Sequence, residues 1–480
     1  MIKTVRFNYT SPYSIVVNPL TGGLKFLSTT LFNTLIALAF FLVAGRFASP
    51  SFVGKVAIIQ LVEIFTASLF SILPYSLVTR EIAQYYASSQ DYTKIIYTSL
   101  SYSLLISPFL LFLFLFPPYL WLSIPYFILF LYTSYQLRLL SGLGKFTEAN
   151  IGNIIFTLVR WGFSIIAVFY HSIELLILIW TLGALIKAIY YHRFLPFRLY
   201  IDWRIFKDLV KVGLPIYING IIGFVSSQGD RVITAFLLSS YSLGIYQFVA
   251  LVAGVPSMLI SSFSSSILPS STYYYVKGKS IKEMSSITLR TLSLISLPLA
   301  ILGYAISPLF ISRFFPQYVS GIESMQLLIL AFTATNPLQL LSTFMVAAKI
   351  NYKPFVLISS LSAVEVVSFS YLLIPKLGIL GAAIAQVTNV LLTSAFYLLF
   401  SVRQNVFPLG SREVFTLLLT IVSFLSLINW LVSLVLVVLG FRLLGLITSS
   451  EIKILENLIP YPLRIFIKIL YFILNNRSIY

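Results

Sequence analysis

The chain of 480 residues is 59% hydrophobic and only 10% charged, with a mean hydropathy of +0.96 and a net charge of +18. A soluble chain could not bury so much apolar surface, so the composition predicts an all-α protein that crosses the membrane many times. It has no cysteine for disulfides or a thiolate metal site, and its two histidines, His171 and His192, lack zinc-ligand spacing. Basic residues lie between the hydrophobic runs rather than on one soluble face, which argues against a nucleic-acid partner.

Hydrophobic runs of about 20 residues recur along the chain, each long enough to cross the bilayer core as a helix. They lie near 24–46, 52–78, 96–117, 120–139, 150–170 and 172–191, and then near 212–236, 242–268, 289–311, 324–347, 353–374 and 378–401. In 414–447 we expect two short spans that turn near Asn429-Trp430, with one tilted helix as the alternative. The sequence thus predicts about 14 transmembrane helices, as two pseudo-symmetric six-helix bundles plus two C-terminal helices.

The two sets of runs repeat at a spacing of 190 residues, which places Ser49 on Ser239 and Gly54 on Gly244. Internal symmetry of this kind is how secondary transporters build a site between two halves. We therefore predict an N-terminal lobe at 1–191, a cytoplasmic amphipathic linker at 192–211, a C-terminal lobe at 212–401, additional helices at 402–447 and a cytoplasmic amphipathic tail at 448–480.

The loops between runs differ sharply in charge. One set of alternate connections holds most of the basic residues, among which we count Lys187 and Arg290, whereas the other set holds only Arg46, Arg313 and Lys376. By the positive-inside rule, both termini and every even-numbered connection face the cytoplasm. Segments 192–211 and 451–476 mix aromatic, aliphatic and charged residues and predict interfacial helices that contact membrane lipids.

A few ionisable residues remain inside the predicted spans, where facing lipid would cost each a few kcal/mol. They are Glu63, Arg160, Asp230, Arg231 and Glu365, with Lys55 near the mouth of the second span. Each is expected to face a partner or a water-filled cavity, and structural ion pairing is the alternative, especially for Arg160 and Glu365. Asn33 and Gln228 are polar neighbours in the spans, and Gly213-Leu214-Pro215 and Asn336-Pro337 suggest broken or bent helices.

Several short motifs occur in an order and spacing shared with a known family. They are Gly142-Leu143-Gly144-Lys145-Phe146, Gly213-Leu214-Pro215, Asp230-Arg231-Val232-Ile233, Leu243-Gly244-Ile245-Tyr246, Leu268-Pro269, Ile374-Pro375-Lys376-Leu377-Gly378 and Leu446-Ile447-Thr448-Ser449-Ser450-Glu451. The chain resembles polysaccharide flippases, the Wzx-type exporters of the multidrug/oligosaccharidyl-lipid/polysaccharide superfamily. The resemblance implies a V of two six-helix bundles whose spans one, two, seven and eight line a central cavity.

The resemblance also implies the substrate, a polyprenyl- or dolichyl-(pyro)phosphate-linked oligosaccharide that is turned from the cytoplasmic to the external leaflet. Asp230 and Arg231 match the family's Asp-Arg position, whereas Glu63 and Arg160 have no firm match. Lipid II flippases of the superfamily carry several basic residues in the first span, and residues 26–45 have none. That difference argues against lipid II as the substrate.

The candidate residues fall into two groups by expected role. Those expected to bind substrate are Arg231, Arg160, Lys55, Asn33 and Gln228, and those expected to bind a coupling ion are Asp230, Glu63 and Glu365. No cofactor is expected, although coupling to H⁺ or Na⁺ is left open. The expected partners are the lipid-linked oligosaccharide, membrane lipids and glycan-assembly enzymes, at the plasma membrane.

Two other functions are weighed against flipping. A cation-coupled multidrug antiporter of the same superfamily would share the fold and differ in substrate. A membrane glycosyltransferase or polymerase usually needs a large external loop, often with acidic metal ligands. The predicted external loops here are short and contain no paired carboxylates, which argues against that enzyme class and against catalysis in general.

Overall fold

The computed structural model describes residues 19–261, 267, 271, 280–348 and 353–446. These residues form α-helices and short 3₁₀ and π segments without a strand, which confirms the all-α prediction. The first nine helices are α1 (Pro19–Phe47), α2 (Pro50–Leu69), α3 (Tyr75–Ala87), α4 (Thr93–Leu105), α5 (Pro118–Leu122), α6 (Ile124–Gly142), α7 (Phe146–Thr157), α8 (Ser164–Phe169) and α9 (Ile173–His192). They are followed by α10 (Trp203–Leu237), α11 (Ser240–Ser261), α12 (Ile281–Phe314), α13 (Ile322–Gln339), α14 (Leu341–Ala347), α15 (Lys353–Leu377), α16 (Ile379–Arg403), α17 (Ser411–Ser423) and α18 (Trp430–Leu443).

Ten helical stretches within the described ranges are long and apolar enough to cross a membrane. The protein is therefore a multi-pass membrane protein, while the count of about 14 spans stays a prediction. The described part of 414–447 forms two helices, α17 and α18, that are separated just before Trp430, and that both cross the membrane stays a prediction. The Asn429 side chain accepts hydrogen bonds from the backbone N–H groups of Leu431 and Val432 and so caps α18.

Several span boundaries differ from the prediction. The run 52–78 is divided between α2 and α3 by a turn that ends at Pro74, and the run 150–170 contains a π-helical segment, Leu158–Phe163. Neither Pro215 nor Pro337 breaks its helix, since α10 and α13 continue through them. Proline is tolerated within membrane helices where neighbouring groups satisfy the freed backbone.

The predicted interfacial helix at 192–211 is wrong for half of its length. Residues 193–202 form a turn and an irregular segment, and the helix that follows starts at Trp203 as the first part of α10. Side chains of α4 supply hydrogen bonds that periodicity along the linker cannot reveal. The second predicted interfacial helix, 451–476, lies outside the described residues, as does the tail at 448–480.

The chain divides into two compact units. The first comprises residues 1–37, 73–164 and 177–213, in which α6 packs against α3, α4 and α7. Its interior is rich in fully buried aromatic side chains, including Tyr126, Tyr135 and Trp180. The predicted lobes at 1–191 and 212–401 remain a prediction.

The second unit comprises residues 38–72, 165–176 and 214–480. Here α12 packs on α13, α15 on α16, and α11 on both α2 and α13. Lys187 and Arg290, both assigned to loops by the sequence, instead lie buried within α9 of the first unit and α12 of the second. A buried charge inside a helix requires compensation from its surroundings.

Arg290 obtains that compensation from the C-terminal helix pair. Its Nε lies 3.5 Å from Glu413 Oε1 on α17, and its Nη1 donates a hydrogen bond of 3.2 Å to the Leu446 carbonyl. The Ser286 hydroxyl also donates to Glu413. We expect Glu413→Ala to destabilise the protein by about 3–5 kcal/mol, because it leaves Arg290 buried without its carboxylate. Thermal unfolding in detergent measures this loss.

The matched control for this ion pair is Glu323→Ala, which removes an exposed carboxylate from α13. Its melting temperature should equal that of the wild type. The double variant Arg290→Met with Glu413→Leu should recover most of the stability, because it removes both buried charges together. Equal melting temperatures for Glu413→Ala and Glu323→Ala would show that the ion pair does not hold α17 on α12.

Candidate functional site

Arg231 and Gln228 form a hydrogen-bonded pair on α10, two turns before its end. The Arg231 Nη1 atom donates to Gln228 Oε1 over 2.7 Å, as the one-turn spacing permits. The Arg231 Nε is buried and makes no hydrogen bond to any described residue, while the side chain as a whole is half-buried. Gln228 therefore orients a guanidinium that retains donors for an anion.

Asp230 points away from this pair and into the helix packing. It is 1% exposed, and its Oδ2 accepts a hydrogen bond from the hydroxyl of Tyr246 on α11. That hydroxyl also lies 3.4 Å from the Ala382 carbonyl oxygen on α16. Asp230 Oδ1 has no hydrogen-bond partner within the described ranges. A buried carboxylate with one open oxygen is suited to hold a proton or a cation.

Tyr246 was missed as a site residue by sequence reasoning. The Leu243-Gly244-Ile245-Tyr246 motif supported only the family resemblance, because a contact between two helices depends on their rotation about their axes. A tyrosine hydroxyl buried in a span, near a buried acid in the neighbouring span, is the signal that could have found it.

Glu365 lies close to the same helix crossing, halfway along α15. Gly229 and Val366, the neighbours of Asp230 and Glu365, meet where α10 crosses α15, and an added Cβ on Gly229 would lie 3.0 Å from Val366. Thr388 and Asn389 on α16 interact with the Glu365 carboxyl group. Its oxygens form no hydrogen bond of ordinary geometry to a described residue. Asp230 and Glu365 are therefore each one residue away from the contact between Gly229 and Val366.

Glu63 and Lys55 lie two turns apart on α2, in the same unit. Glu63 is 6% exposed and Lys55 is half-buried. Near Glu63, α2 adjoins α10, since the Phe65 and Phe224 rings are 5.6 Å apart and the Tyr217 hydroxyl donates to the Leu69 carbonyl over 2.9 Å. The contact between α2 and α10 is therefore made by Phe65 and Leu69, two and six residues after Glu63, and Phe224 is two turns from Arg231.

The N-terminal ends of α2 and α11 cross with near-perfect internal symmetry. An added Cβ on Gly54 would overlap the Ser240 carbonyl, and one on Gly244 would overlap the Pro50 carbonyl. These four residues are related in pairs by the 190-residue spacing of the repeat. Ser49 and Ser239, another related pair, each accept a hydrogen bond from a backbone N–H three residues on. The repeat therefore corresponds to a pseudo-twofold helix crossing.

Arg160 lies in the first unit, inside a cage of aromatic rings. Its Cζ is 4.2 Å from the Trp180 ring centroid and 4.6 Å from that of Trp161, and Tyr126 and Phe156 complete the cage. It is 7% exposed and belongs to the π-helical segment. These contacts favour the structural alternative for Arg160, because a cation between aromatic faces is already stabilised.

Asn33 also belongs to the first unit, on α1. It is half-buried, and its Oδ1 has no hydrogen-bond partner in the described part of the chain. Of the eight predicted site residues, Gln228 and Arg231 are hydrogen-bonded to each other, and Asp230 and Glu365 are sequence neighbours of Gly229 and Val366, which approach each other. Arg160 and Asn33 lie in the other unit, so their predicted part in substrate binding stays a prediction.

The fold is similar to those of several solved membrane transporters. A lipid II flippase, MurJ, in an inward closed conformation matches with a TM-score of 0.67 at 14% identity, over 87% of this chain and 98% of its own. An inward-facing multidrug resistance transporter of the MATE family matches with a TM-score of 0.63 at 14% identity, over 78% and 94%. A transporter of the same superfamily from Pyrococcus furiosus matches with a TM-score of 0.53 at 12% identity, over 83% and 99%.

The chain thus has the fold of the multidrug/oligosaccharidyl-lipid/polysaccharide superfamily of membrane transporters. Its residues 105–319 match the sequence family described as "Polysaccharide biosynthesis protein". A curated relative, the "Capsular polysaccharide biosynthesis protein CapF" of Staphylococcus aureus, is 26% identical over 237 residues, or 46% of this chain. The aligned part spans 58% of that relative's length. These matches confirm that the chain is similar in sequence to polysaccharide biosynthesis proteins and similar in fold to transporters of the superfamily.

Proposed function

We propose that the protein is a flippase that turns a polyprenyl- or dolichyl-(pyro)phosphate-linked oligosaccharide from the cytoplasmic to the external leaflet by alternating access. The single observation that carries the proposal is Arg231, a membrane-embedded guanidinium held by Gln228 with its Nε open. The match to a polysaccharide biosynthesis family supports a glycan-linked substrate over a free anion. The protein would act in the plasma membrane with both termini cytoplasmic.

The phosphate is the part of such a substrate that most needs a protein partner in the membrane. A planar guanidinium binds phosphate through paired N–H groups, and the interaction gains strength where water is scarce. Lys55 on α2 could add a second positive charge. The sugars would occupy the central cavity that the family resemblance implies, while the isoprenoid tail would stay in lipid.

Flipping in one direction needs a bias between the two states of the transporter. A ligand shifts such an equilibrium only by binding the two states unequally. Asp230, Glu365 and Glu63 are the buried or half-buried carboxylates that could bind H⁺ or Na⁺ with different affinity in each state. Glycan-assembly enzymes on the cytoplasmic side would deliver the substrate.

The similarity to MATE transporters supports a second candidate, a cation-coupled multidrug antiporter. The two functions differ in the charge of the substrate that would bind near Arg231. A cationic drug would be repelled by this residue, whereas an anionic headgroup would be attracted. Dye efflux driven by an ion gradient, with no flipping of a lipid-linked oligosaccharide, would favour the antiporter.

The proposal is tested in proteoliposomes that contain a fluorescent lipid-linked oligosaccharide and the purified protein. We expect Arg231→Ala to slow flipping by about 10- to 100-fold, since it removes a charge-assisted contact to phosphate. Arg231→Lys should keep part of the rate, because it retains the charge but loses the bidentate geometry.

Gln228→Ala should show a smaller loss than Arg231→Ala, because it removes only the residue that orients the guanidinium. The control Arg403→Ala removes an exposed arginine from the end of α16 and should flip at the wild-type rate. Wild-type flipping by Arg231→Ala would rule out the assigned phosphate contact. Absence of flipping by the wild type, with dye efflux present, would rule out the flippase itself.

A further inference from the structure

The linker between α9 and α10, residues 193–202, does not form an independent helix. It is hydrogen-bonded to α4 of the first unit, and we call this hydrogen-bonded segment the strap. The Tyr200 N–H donates to the Ser101 hydroxyl over 2.9 Å, and that hydroxyl donates to the Arg198 carbonyl over 3.2 Å. The Asp202 N–H donates to the Thr98 hydroxyl over 3.0 Å. These bonds satisfy three backbone groups of the irregular linker through hydroxyl groups on α4.

Asp202 fixes the point at which the strap becomes a helix. Its Oδ1 accepts from the backbone N–H groups of Arg204 and Ile205 and so caps the start of α10. Its other oxygen lies 3.9 Å from Lys94 Nζ. With the backbone bound to α4, Leu195 and Leu209 are buried, while many other side chains of the linker and of the first turns of α10 are exposed.

This outward surface combines positive charge with large apolar side chains, and we name it the linker ridge. Its exposed basic residues are Arg193, Arg198, Arg204, Lys207 and Lys211. Its exposed apolar or aromatic residues are Phe197 (38% exposed), Leu199 (65%), Tyr200 (44%) and Trp203 (64%). The two aspartates of the segment leave a clear positive excess, since Asp202 is engaged as described and only Asp208 lies exposed on the ridge.

Contact with water is energetically unfavourable for this surface, because Leu199 and Trp203 would each expose most of a large apolar side chain. A bilayer interface accommodates both halves of the pattern, with apolar and aromatic side chains at headgroup depth and basic residues against phosphate. The positive-inside rule places the linker at the cytoplasmic leaflet, whose anionic lipids attract each basic residue. Charge complementarity selects anionic lipid over zwitterionic lipid.

We propose that the linker ridge is a binding surface for anionic phospholipid headgroups of the cytoplasmic leaflet. The lipid would enrich beside Arg198, Arg204 and Lys207 while Trp203 lies at the interface. The strap to α4 would keep this arrangement in place, so lipid binding would need no folding of the linker. The proposal does not depend on which substrate the protein moves.

The test uses fluorescence of the full chain in lipid nanodiscs. Trp203 is one of five tryptophans, so its signal is the difference between the wild type and Trp203→Phe. Nanodiscs contain equal fractions of brominated phosphatidylglycerol or brominated phosphatidylcholine as the quencher. We expect phosphatidylglycerol to quench Trp203 more strongly, with an apparent enrichment of at least fivefold that weakens in high salt.

The paired variants separate the ridge from general surface charge. Arg198→Gln with Arg204→Gln should abolish the preference for phosphatidylglycerol, while Arg403→Gln with Arg412→Gln, also exposed, should keep it. Equal quenching by both lipids in the wild type would overturn the proposal, and so would a preference that survives in the ridge variant. Absence of quenching by either lipid would also overturn it and would indicate that an aqueous partner covers the ridge.

Discussion

Replacing Gly54 or Gly244 with alanine will separate the N-terminal ends of α2 and α11. Each added Cβ would overlap a backbone carbonyl, of Ser240 for Gly54 and of Pro50 for Gly244. A backbone atom cannot yield as a flexible side-chain end can, so the helices themselves must move. We expect each single substitution to destabilise the crossing by about 1–3 kcal/mol, the typical cost of overpacking.

The symmetry of the crossing makes a sharper prediction for the double variant. Once one Cβ has forced the two helices apart, the second finds space already opened. Gly54→Ala and Gly244→Ala should therefore have similar individual effects, and together they should cost less than the sum. If alternating access requires this crossing to close, flipping in each single variant should fall by about tenfold or more, since about 1.4 kcal/mol changes a population tenfold.

Opening of the crossing can be measured through a buried reporter. Ile245 is 3% exposed, and its side chain would lie 2.8 Å from an added Cβ on Gly321, in the segment Pro316–Gly321. The natural chain has no cysteine, so Ile245→Cys provides a single thiol. A membrane-impermeant maleimide should label this thiol slowly in the parent chain and much faster when Gly54→Ala is added.

The matched control is Gly254→Ala on α11, because no heavy atom lies within 4 Å of the position its Cβ would take. It should leave both labelling and flipping unchanged. Unchanged labelling in Gly54→Ala, with normal flipping, would show that the crossing does not have to close tightly for transport. Equal effects of Gly254→Ala and Gly54→Ala would point to a general loss of helix packing.

Hydropathy was sufficient to predict an all-α membrane protein, because long apolar runs leave helices as the natural way to satisfy the backbone in lipid. It did not predict the turn before Pro74, because Ile72 and Leu73 are as apolar as the helices beside them. Only the proline indicated a boundary there. The prediction of a helix throughout the linker was wrong for another reason. The side chains that bind the linker backbone, Thr98 and Ser101, lie on a helix about 100 residues earlier in the chain.

The sequence was sufficient to identify the charged residues of the candidate site, but not the contacts that these residues make. Asp230 and Arg231 stood out because buried charges in spans are rare. The opposite directions of these neighbours also followed from helical periodicity. Their partners did not follow. Gln228 lies one turn away on the same helix, but Tyr246 and the cage around Arg160 depend on how separate helices are rotated against each other.

If an imposed H⁺ or Na⁺ gradient drives flipping, we expect that replacing Asp230 with asparagine removes this dependence. The carboxylate is buried and accepts one hydrogen bond from Tyr246, and its other oxygen has no hydrogen-bond partner among the described residues. A bound proton or cation would therefore offset the cost of burying its charge. Asparagine has nearly the same shape but cannot carry the charge. We expect Asp230→Asn to flip at a rate that no longer changes with an imposed ion gradient.

Ligand-dependent stability identifies the ion and separates coupling from a structural role. A bound ion stabilises the folded protein by RT ln(1 + [L]/Kd), about 2.7 kcal/mol at 100 times Kd. If the ion is Na⁺, the melting temperature of the wild type should rise with NaCl over choline chloride, and Asp230→Asn should not respond. If the ion is H⁺, flipping by the wild type should respond to an imposed pH gradient, and flipping by Asp230→Asn should not.

Tyr246→Phe is the companion variant, since it removes the hydroxyl that donates to Asp230 while leaving the carboxylate in place. That hydroxyl is the hydrogen-bond donor that Asp230 Oδ2 has in the structure, so its loss should weaken the response without abolishing it. A proton-coupled transporter would then keep a response to the imposed gradient. A Na⁺-coupled one would keep its salt-dependent melting temperature with altered affinity, because Asp230 still supplies the charge. Only Asp230→Asn should abolish the response to the ion, whether the ion is H⁺ or Na⁺. If the wild-type protein responds to neither ion, Asp230 is a structural partner of Tyr246. The substrate alone would then bias the two states of the transporter.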